Sequence, residues 1–120
     1  MTFDTETLEM LDSAKEVHIE THEGSRTFRT IIWIVVDDGE VFVRSVRGDS
    51  GVWYQRALAD PNVAVIAADE RIPAVATPTP DLESVERVDQ ALRDKYKPGG
   101  SLDAMLRPEV LGTTMRLGPA

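Results

Sequence analysis

Two arginines, two serines and two glycines fall within eight consecutive residues, Arg44-Ser45-Val46-Arg47-Gly48-Asp49-Ser50-Gly51. A guanidinium offers paired N–H donors to an oxyanion, and a hydroxyl adds another. A helix beginning directly behind such a loop contributes unpaired backbone N–H groups at the positive end of its dipole. Together these are what a bound phosphate requires. Between Val41 and Arg56 the three arginines and one aspartate sum to +2, in a chain whose 13 basic and 21 acidic residues leave a net charge of −8. That local reversal marks a site for an anionic ligand.

A second group is His18, Glu20 and His22, which period two places on one strand face and which include both histidines of the chain. Two imidazoles and a carboxylate at that spacing suit a metal ion or a proton-transfer site. The same spacing describes a polar outer face opposite Val17 and Ile19, and that reading is preferred, because a metal site needs a further ligand and supporting groups. No metal is therefore expected. Gly48 and Gly51 have the wrong spacing for a dinucleotide fingerprint or a phosphate-binding P-loop.

The loop must be held by the elements on either side of it. Asp4 suits the cap of a first helix carrying Leu8, Met10, Leu11 and Ala14, and period two then predicts a strand over residues 17–22. Glu23-Gly24-Ser25 turns the chain into residues 27–36, whose six consecutive apolar positions, 31–36, predict a strand buried on both faces. Asp37-Asp38-Gly39-Glu40 places an Asp-Gly pair between two strand-like runs, so residues 41–46 should pair antiparallel with 31–36. Asp49 or Ser50 then caps a short helix that turns Trp53, Ala57 and Leu58 inward and ends at Asp60-Pro61.

Further strands are expected at residues 63–67 and 72–77, with Pro73 confining the latter to an edge or bulge. Asp81 opens the clearest helix, in which Leu82, Val85, Val88, Leu92 and Tyr96 recur at spacings of three and four. A short helix at 101–106 and a strand at 113–117 complete the chain. Strands joined mainly by hairpins, rather than by regular βαβ alternation, argue for the α+β class and an antiparallel sheet of six strands closed into a small barrel with flanking helices. The length, 120 residues, suits a single domain.

Composition narrows the function. A net charge of −8 opposes binding to nucleic acid or to an anionic membrane, and no apolar run is long enough to span a bilayer. The absence of cysteine rules out disulfides, thiolate metal sites and a cysteine nucleophile, and a cytoplasmic protein is the simplest expectation.

The order of motifs resembles the flavin-binding split-barrel superfamily, which contains the pyridoxamine-phosphate oxidases and the deazaflavin-dependent reductases and nitroreductases. It is most similar to a branch of that clan without an assigned function. The likeness is carried by Arg29-Thr30-Ile31-Ile32-Trp33, the hairpin Asp37-Asp38-Gly39, the strand end Val43-Arg44-Ser45, and Trp53-Tyr54 followed by Leu58, Pro61, Val63 and Val65. It covers residues 16–68 well and the remainder in element order. The resemblance implies a split barrel, a homodimer and a cofactor at the dimer interface, either FMN or a deazaflavin (coenzyme F-420). It points to Arg29, Thr30, Arg44, Ser45, Arg47 and Ser50 as phosphate ligands. Trp33, Trp53 and Tyr54 would shape the apolar wall around the ring. The implied activity is hydride transfer to or from a small organic substrate, with no catalytic residue nominated. Asp49 and the shortened turn Glu23-Gly24-Ser25-Arg26 favour an alternative: a cofactor-free small-molecule-binding protein, or a cofactor-free enzyme, on the same barrel.

Overall fold

The structure, a computed structural model, describes residues 2–120. Helix α1 (Thr5–Ser13) opens at Asp4, whose carboxylate accepts from the Thr7 N–H at 2.8 Å. Strands β1 (Val17–Glu23) and β2 (Arg26–Ile32) form a hairpin in register from Val17↔Ile32 to Glu23↔Arg26. Strands β3 (Val35–Asp37) and β4 (Glu40–Val43) form the hairpin expected at Asp37-Asp38-Gly39-Glu40. Its two central residues, Asp38 and Gly39, have φ of 49° and 75°, the primed-turn geometry whose twist suits flanking strands.

One 3-10 turn (Gly48–Ser50) leads into α2 (Val52–Ala59), followed by β5 (Asn62–Ala67) and β6 (Glu70–Pro78). Helix α3 (Leu82–Lys95) begins at Asp81, whose carboxylate accepts from the Ser84 N–H at 3.0 Å. Two short helices, α4 (Gly100–Met105) and α5 (Pro108–Leu111), precede β7 (Met115–Pro119).

All strand pairings are antiparallel, in the order β2-β1-β5-β6-β7-β4-β3. The class is α+β and the sheet curls into a half-barrel. It has seven strands where the sequence predicts six, because the run 27–36 breaks at Trp33-Ile34. The break has a topological cause. β2 is one edge of the sheet and β3 the other, so Trp33 and Ile34 must carry the chain from edge to edge.

Three other expectations are corrected here. Ile31 is 58% exposed, since β2 covers only one face, and Leu58 and Leu82, placed inward by periodicity, are 49% and 72% exposed. Pro73 does not put β6 at an edge, since β6 lies between β5 and β7; the strand tolerates the proline because its pairing with β7 begins only at Ala74, so no ladder partner is missed on that side.

The main core fills the curl of the sheet beneath α1 and α2, around Ile19, Val41, Val65 and Trp53. A smaller core lies on the other face of β3 and β4, where Val35 and Phe42 meet Val88, Leu92 and Tyr96. Arg87 clips this second layer down. It donates to Asp37 Oδ2 at 2.7 Å and to Glu40 Oε1 at 2.8 Å, with its guanidinium 5.3 Å from the Phe42 ring centroid. Among the described residues no helix is long and apolar enough to cross a membrane.

Candidate functional site

A cavity of about 690 Å³ opens where β2 ends and the chain crosses to β3. Its walls are the last residues of β2, the loop after β4, and the beginnings of α2 and α4. Of the nine residues nominated from sequence, Thr30, Trp33, Arg44, Ser45, Arg47 and Trp53 line it. Arg29, Ser50 and Tyr54 do not.

Arg44 lies past the end of β4 with its side chain fully buried. Its Nη1 donates to Asp89 Oδ1 at 2.6 Å and to the Met105 carbonyl at 3.2 Å. Its Nη2 donates to the Val85 carbonyl at 2.9 Å, and its Nε to Thr114 Oγ1 at 2.9 Å. Four of the five guanidinium hydrogens are thus committed to the protein. Burial pulls this guanidinium's pKa down while the hydrogen bond and charge of Asp89 hold it up. The side chain ties α3 and α4 to the barrel, and the expected phosphate ligand is a strut.

Ser45 is similarly occupied. Its hydroxyl donates to the Gly48 carbonyl at 2.8 Å, its N–H donates to Thr113 Oγ1 at 3.0 Å, and its carbonyl accepts from the Gly48 N–H at 2.9 Å. These bonds fold the loop tightly enough that a Cβ at Gly51 would sit 2.1 Å from Ser45 Oγ. Gly51→Ala is therefore expected to push that hydroxyl off Gly48 and cost about 1–2 kcal/mol in chemical denaturation. Ser45→Gly should add little further loss in the double variant, because the bond to Gly48 is already broken, a non-additivity that a remote packing defect would not produce.

Neither Asp49 nor Ser50 caps α2, contrary to expectation. The N-cap is Gly51, with no side-chain bond to the helix. Ser50 Oγ donates to the Arg47 carbonyl at 2.9 Å, and the Asp49 carbonyl accepts from Gln55 Nε2 at 2.9 Å, so both residues stiffen the loop. The amino end of α2 consequently meets the cavity, at Gly51, Val52 and Trp53, uncapped by any side chain. Arg47 stands beside it, exposed and with no side-chain partner among the described residues.

Arg29 faces the outside of the sheet. It pairs with Glu20 at 3.4 Å, its register partner across β1 and β2, and Arg71 closes on the same carboxylate at 2.6 Å. The Arg71 hydrogen bond foremost holds Glu20 below its ordinary pKa against the opposing effect of burial. His22 Nε2 lies 3.8 Å from that carboxylate, while His22 Nδ1 meets Thr27 Oγ1 at 3.3 Å. Among the described residues no group of three or more His, Asp or Glu side chains is placed to hold a metal ion.

The aromatic residues divide. Trp53 is buried at the cavity wall, with Tyr54 packed edge-on against it in the core, where burial and the charge of Asp49 raise the Tyr54 pKa. Trp33 is half-buried and lies parallel to Tyr96 at 3.8 Å, so one ring face is covered. Tyr96 is fixed in turn. Its hydroxyl donates to the Lys15 carbonyl at 2.7 Å and accepts from the Ile34 N–H at 3.3 Å. Lys95 Nζ donates to the carbonyls of Ile34 at 2.6 Å and Leu11 at 3.1 Å.

This backing was missed in the sequence, where Tyr96 read only as the last residue of a helix's apolar face. Asp89 was missed too, although its position four residues after Val85 puts an acid on the flank of a buried helix face.

For an anionic ligand the donors that remain include Arg47, the open amino end of α2 and the hydroxyls of Thr30 and Ser101. A guanidinium, open helix N–H groups and hydroxyls are the donor types that suit a phosphate.

The curled antiparallel sheet, split where β2 hands over to β3, gives this protein a split-barrel fold. Solved structures with this fold include the heme storage protein HutZ of Vibrio cholerae, with a TM-score of 0.71 at 15% identity over 100% of this chain and 92% of that one. An FAD-binding protein from Mesorhizobium loti gives 0.64 at 14% identity, covering 100% of this chain and 92% of that one. An F420-H2-dependent reductase gives 0.64 at 18% identity, covering 86% of this chain and 93% of that one. At such identities the likeness is one of fold. Residues 7–117 match the family DUF2255, uncharacterized proteins conserved in bacteria, and the chain belongs to that family. No curated protein matches it by sequence.

Proposed function

We propose that the protein binds a flavin-type cofactor in the cavity at the barrel split and serves as an oxidoreductase acting on a small organic molecule. The observation that carries this reading is the pairing, in one apolar cavity, of an unpartnered guanidinium with an uncapped helix end. Arg47 and the backbone N–H groups of Val52 and Trp53 would hold the phosphate, with the Thr30 hydroxyl as a further donor. Trp33, held flat by Tyr96, would take the ring, and Trp53 would close the wall. The bound group supplies hydride-transfer chemistry, while the protein positions it and keeps out water.

The exposed apolar residues at the cavity mouth, Ile31, Val46 and Val52, support assembly as a homodimer in which a second copy covers them. A cofactor-free binding protein on the same barrel is the second reading. It is favoured by one specific observation, the commitment of Arg44 to Asp89 and of Arg29 to Glu20.

A thermal-shift and absorbance titration separates the two. A true ligand at a hundred times its dissociation constant adds about 2.7 kcal/mol to stability. Trp33→Ala should weaken flavin binding by tenfold or more, the scale of one lost stacking contact. A colourless protein that gains no stability from FMN, riboflavin or a deazaflavin would sink the first reading and leave the second.

A further inference from the structure

We infer that this cavity selects a planar ligand bearing one anionic group and rejects ligands with two or more phosphates or a polycarboxylate tail. The inference rests on the proposed function and names the ligand class for it. Two arginines line the cavity, but Arg44 is fully buried against Asp89 at 2.6 Å and brings no net charge to the space in front of it. Arg29, the third nominated cation, lies on the outer face of the sheet, bound to Glu20. Among the described residues, Arg47 is thus the one lining cation without an acidic partner.

The acids are unfavourable to any further anion. Glu16 lines the same cavity, and Asp49 sits in the turn between Arg47 and α2. The chain as a whole carries −8. A second phosphate or a string of carboxylates would therefore meet no free guanidinium of this chain's own lining, would sit within range of like charges, and would lose water against Ile31, Val52, Trp33 and Trp53. Charged groups removed from water without a partner are strongly disfavoured. A ring with no phosphate would gain the apolar wall but leave Arg47 unused.

The test titrates the full-length protein with four probes: riboflavin, FMN, FAD and a deazaflavin carrying an oligoglutamate tail. FMN should bind at least tenfold more tightly than riboflavin, the scale of one charge-assisted contact. FAD and the tailed deazaflavin should each bind at least tenfold more weakly than FMN. Arg47→Met should abolish the advantage of FMN over riboflavin and leave riboflavin affinity unchanged. FAD or the tailed deazaflavin binding as tightly as FMN would overturn the inference, as would an FMN preference that survives Arg47→Met. Failure of all four to bind would instead overturn the functional reading beneath it.

Discussion

Arg44→Met is expected to destabilise the protein by about 3–5 kcal/mol, the range for removing one partner of a buried ion pair. For a domain of this size that is a fall in melting temperature of roughly 10–20 °C. The reason is the number of groups left behind. Methionine fills much of the volume but donates nothing, so the Val85 and Met105 carbonyls lose their Arg44 donors and Asp89 loses its cation. The Met105 carbonyl, at the end of α4, is orphaned at about 1–3 kcal/mol where water cannot replace the donor, whereas the Val85 carbonyl keeps its helical bond from the Asp89 N–H. Asp89 suffers less, because its side chain is 21% exposed and can be hydrated. Asp89→Asn should cost about as much as Arg44→Met, 3–5 kcal/mol, because the amide oxygen still accepts from Nη1 but the fully buried guanidinium is left without a counter-charge. Arg44→Lys should cost less, since it keeps a cation for Asp89, although an ammonium cannot span Thr114, Val85 and Met105 at once. A variant Arg44→Met that melts within a few degrees of the native chain and loses only ligand affinity would return this residue to the role of phosphate ligand.

That contrast shows where sequence reading succeeds and where it stops. Local chemistry was legible. Asp4 and Asp81 cap their helices because an aspartate three residues before a free N–H needs nothing from elsewhere in the fold. The hairpin at Asp38-Gly39 forms because those residues accept positive φ. The location of the cavity was legible too, since Thr30, Trp33, Arg47 and Trp53 all face it.

The role of each cation was not. The partners of Arg44 are separated from it by 41 to 70 positions in sequence, and nothing in Val43-Arg44-Ser45 announces them. Whether an arginine binds a ligand or braces the fold depends on which acid the topology brings to it. For Arg29 that acid is Glu20, placed by the β1–β2 register, whereas Arg47 lies in a loop that no strand covers. The apolar run at 31–36 misled for a related reason. Its hydrophobicity reflects a corner shared by two cores, with Ile34 and Val36 turned to one and Trp33 and Val35 to the other.

The corner behind Trp33 also governs alkaline stability, with Lys95 as the titrating group. Burial lowers its pKa from 10.5 to about 8, with Asp12 opposing the shift and Lys15 assisting it. The folded chain thus releases this proton near pH 8 and the unfolded chain near 10.5, so between those values the unfolded state holds more protons and stability rises with pH. At about 1.4 kcal/mol per pKa unit the full rise would be about 3.5 kcal/mol. The carbonyls of Ile34 and Leu11, which favour the ammonium, should reduce it to about 1–2 kcal/mol.

Tyr96 acts in the opposite sense. Burial, aided by the charge of Glu16, pushes its pKa from 10.0 up to about 12, so above pH 10 the folded state holds the extra proton and stability falls. Urea denaturation from pH 7 to 11 should therefore give a native-minus-Lys95→Met difference that climbs from pH 8, and a native-minus-Tyr96→Phe difference that declines above pH 10. A flat Lys95 difference would mean that the ammonium keeps its proton throughout. The cavity wall should survive the change, because a neutral amine retains two N–H donors, enough for both carbonyls. Trp33 emission in a Trp53→Phe background should accordingly stay constant across the same midpoint, separating a change in stability from a change in the site.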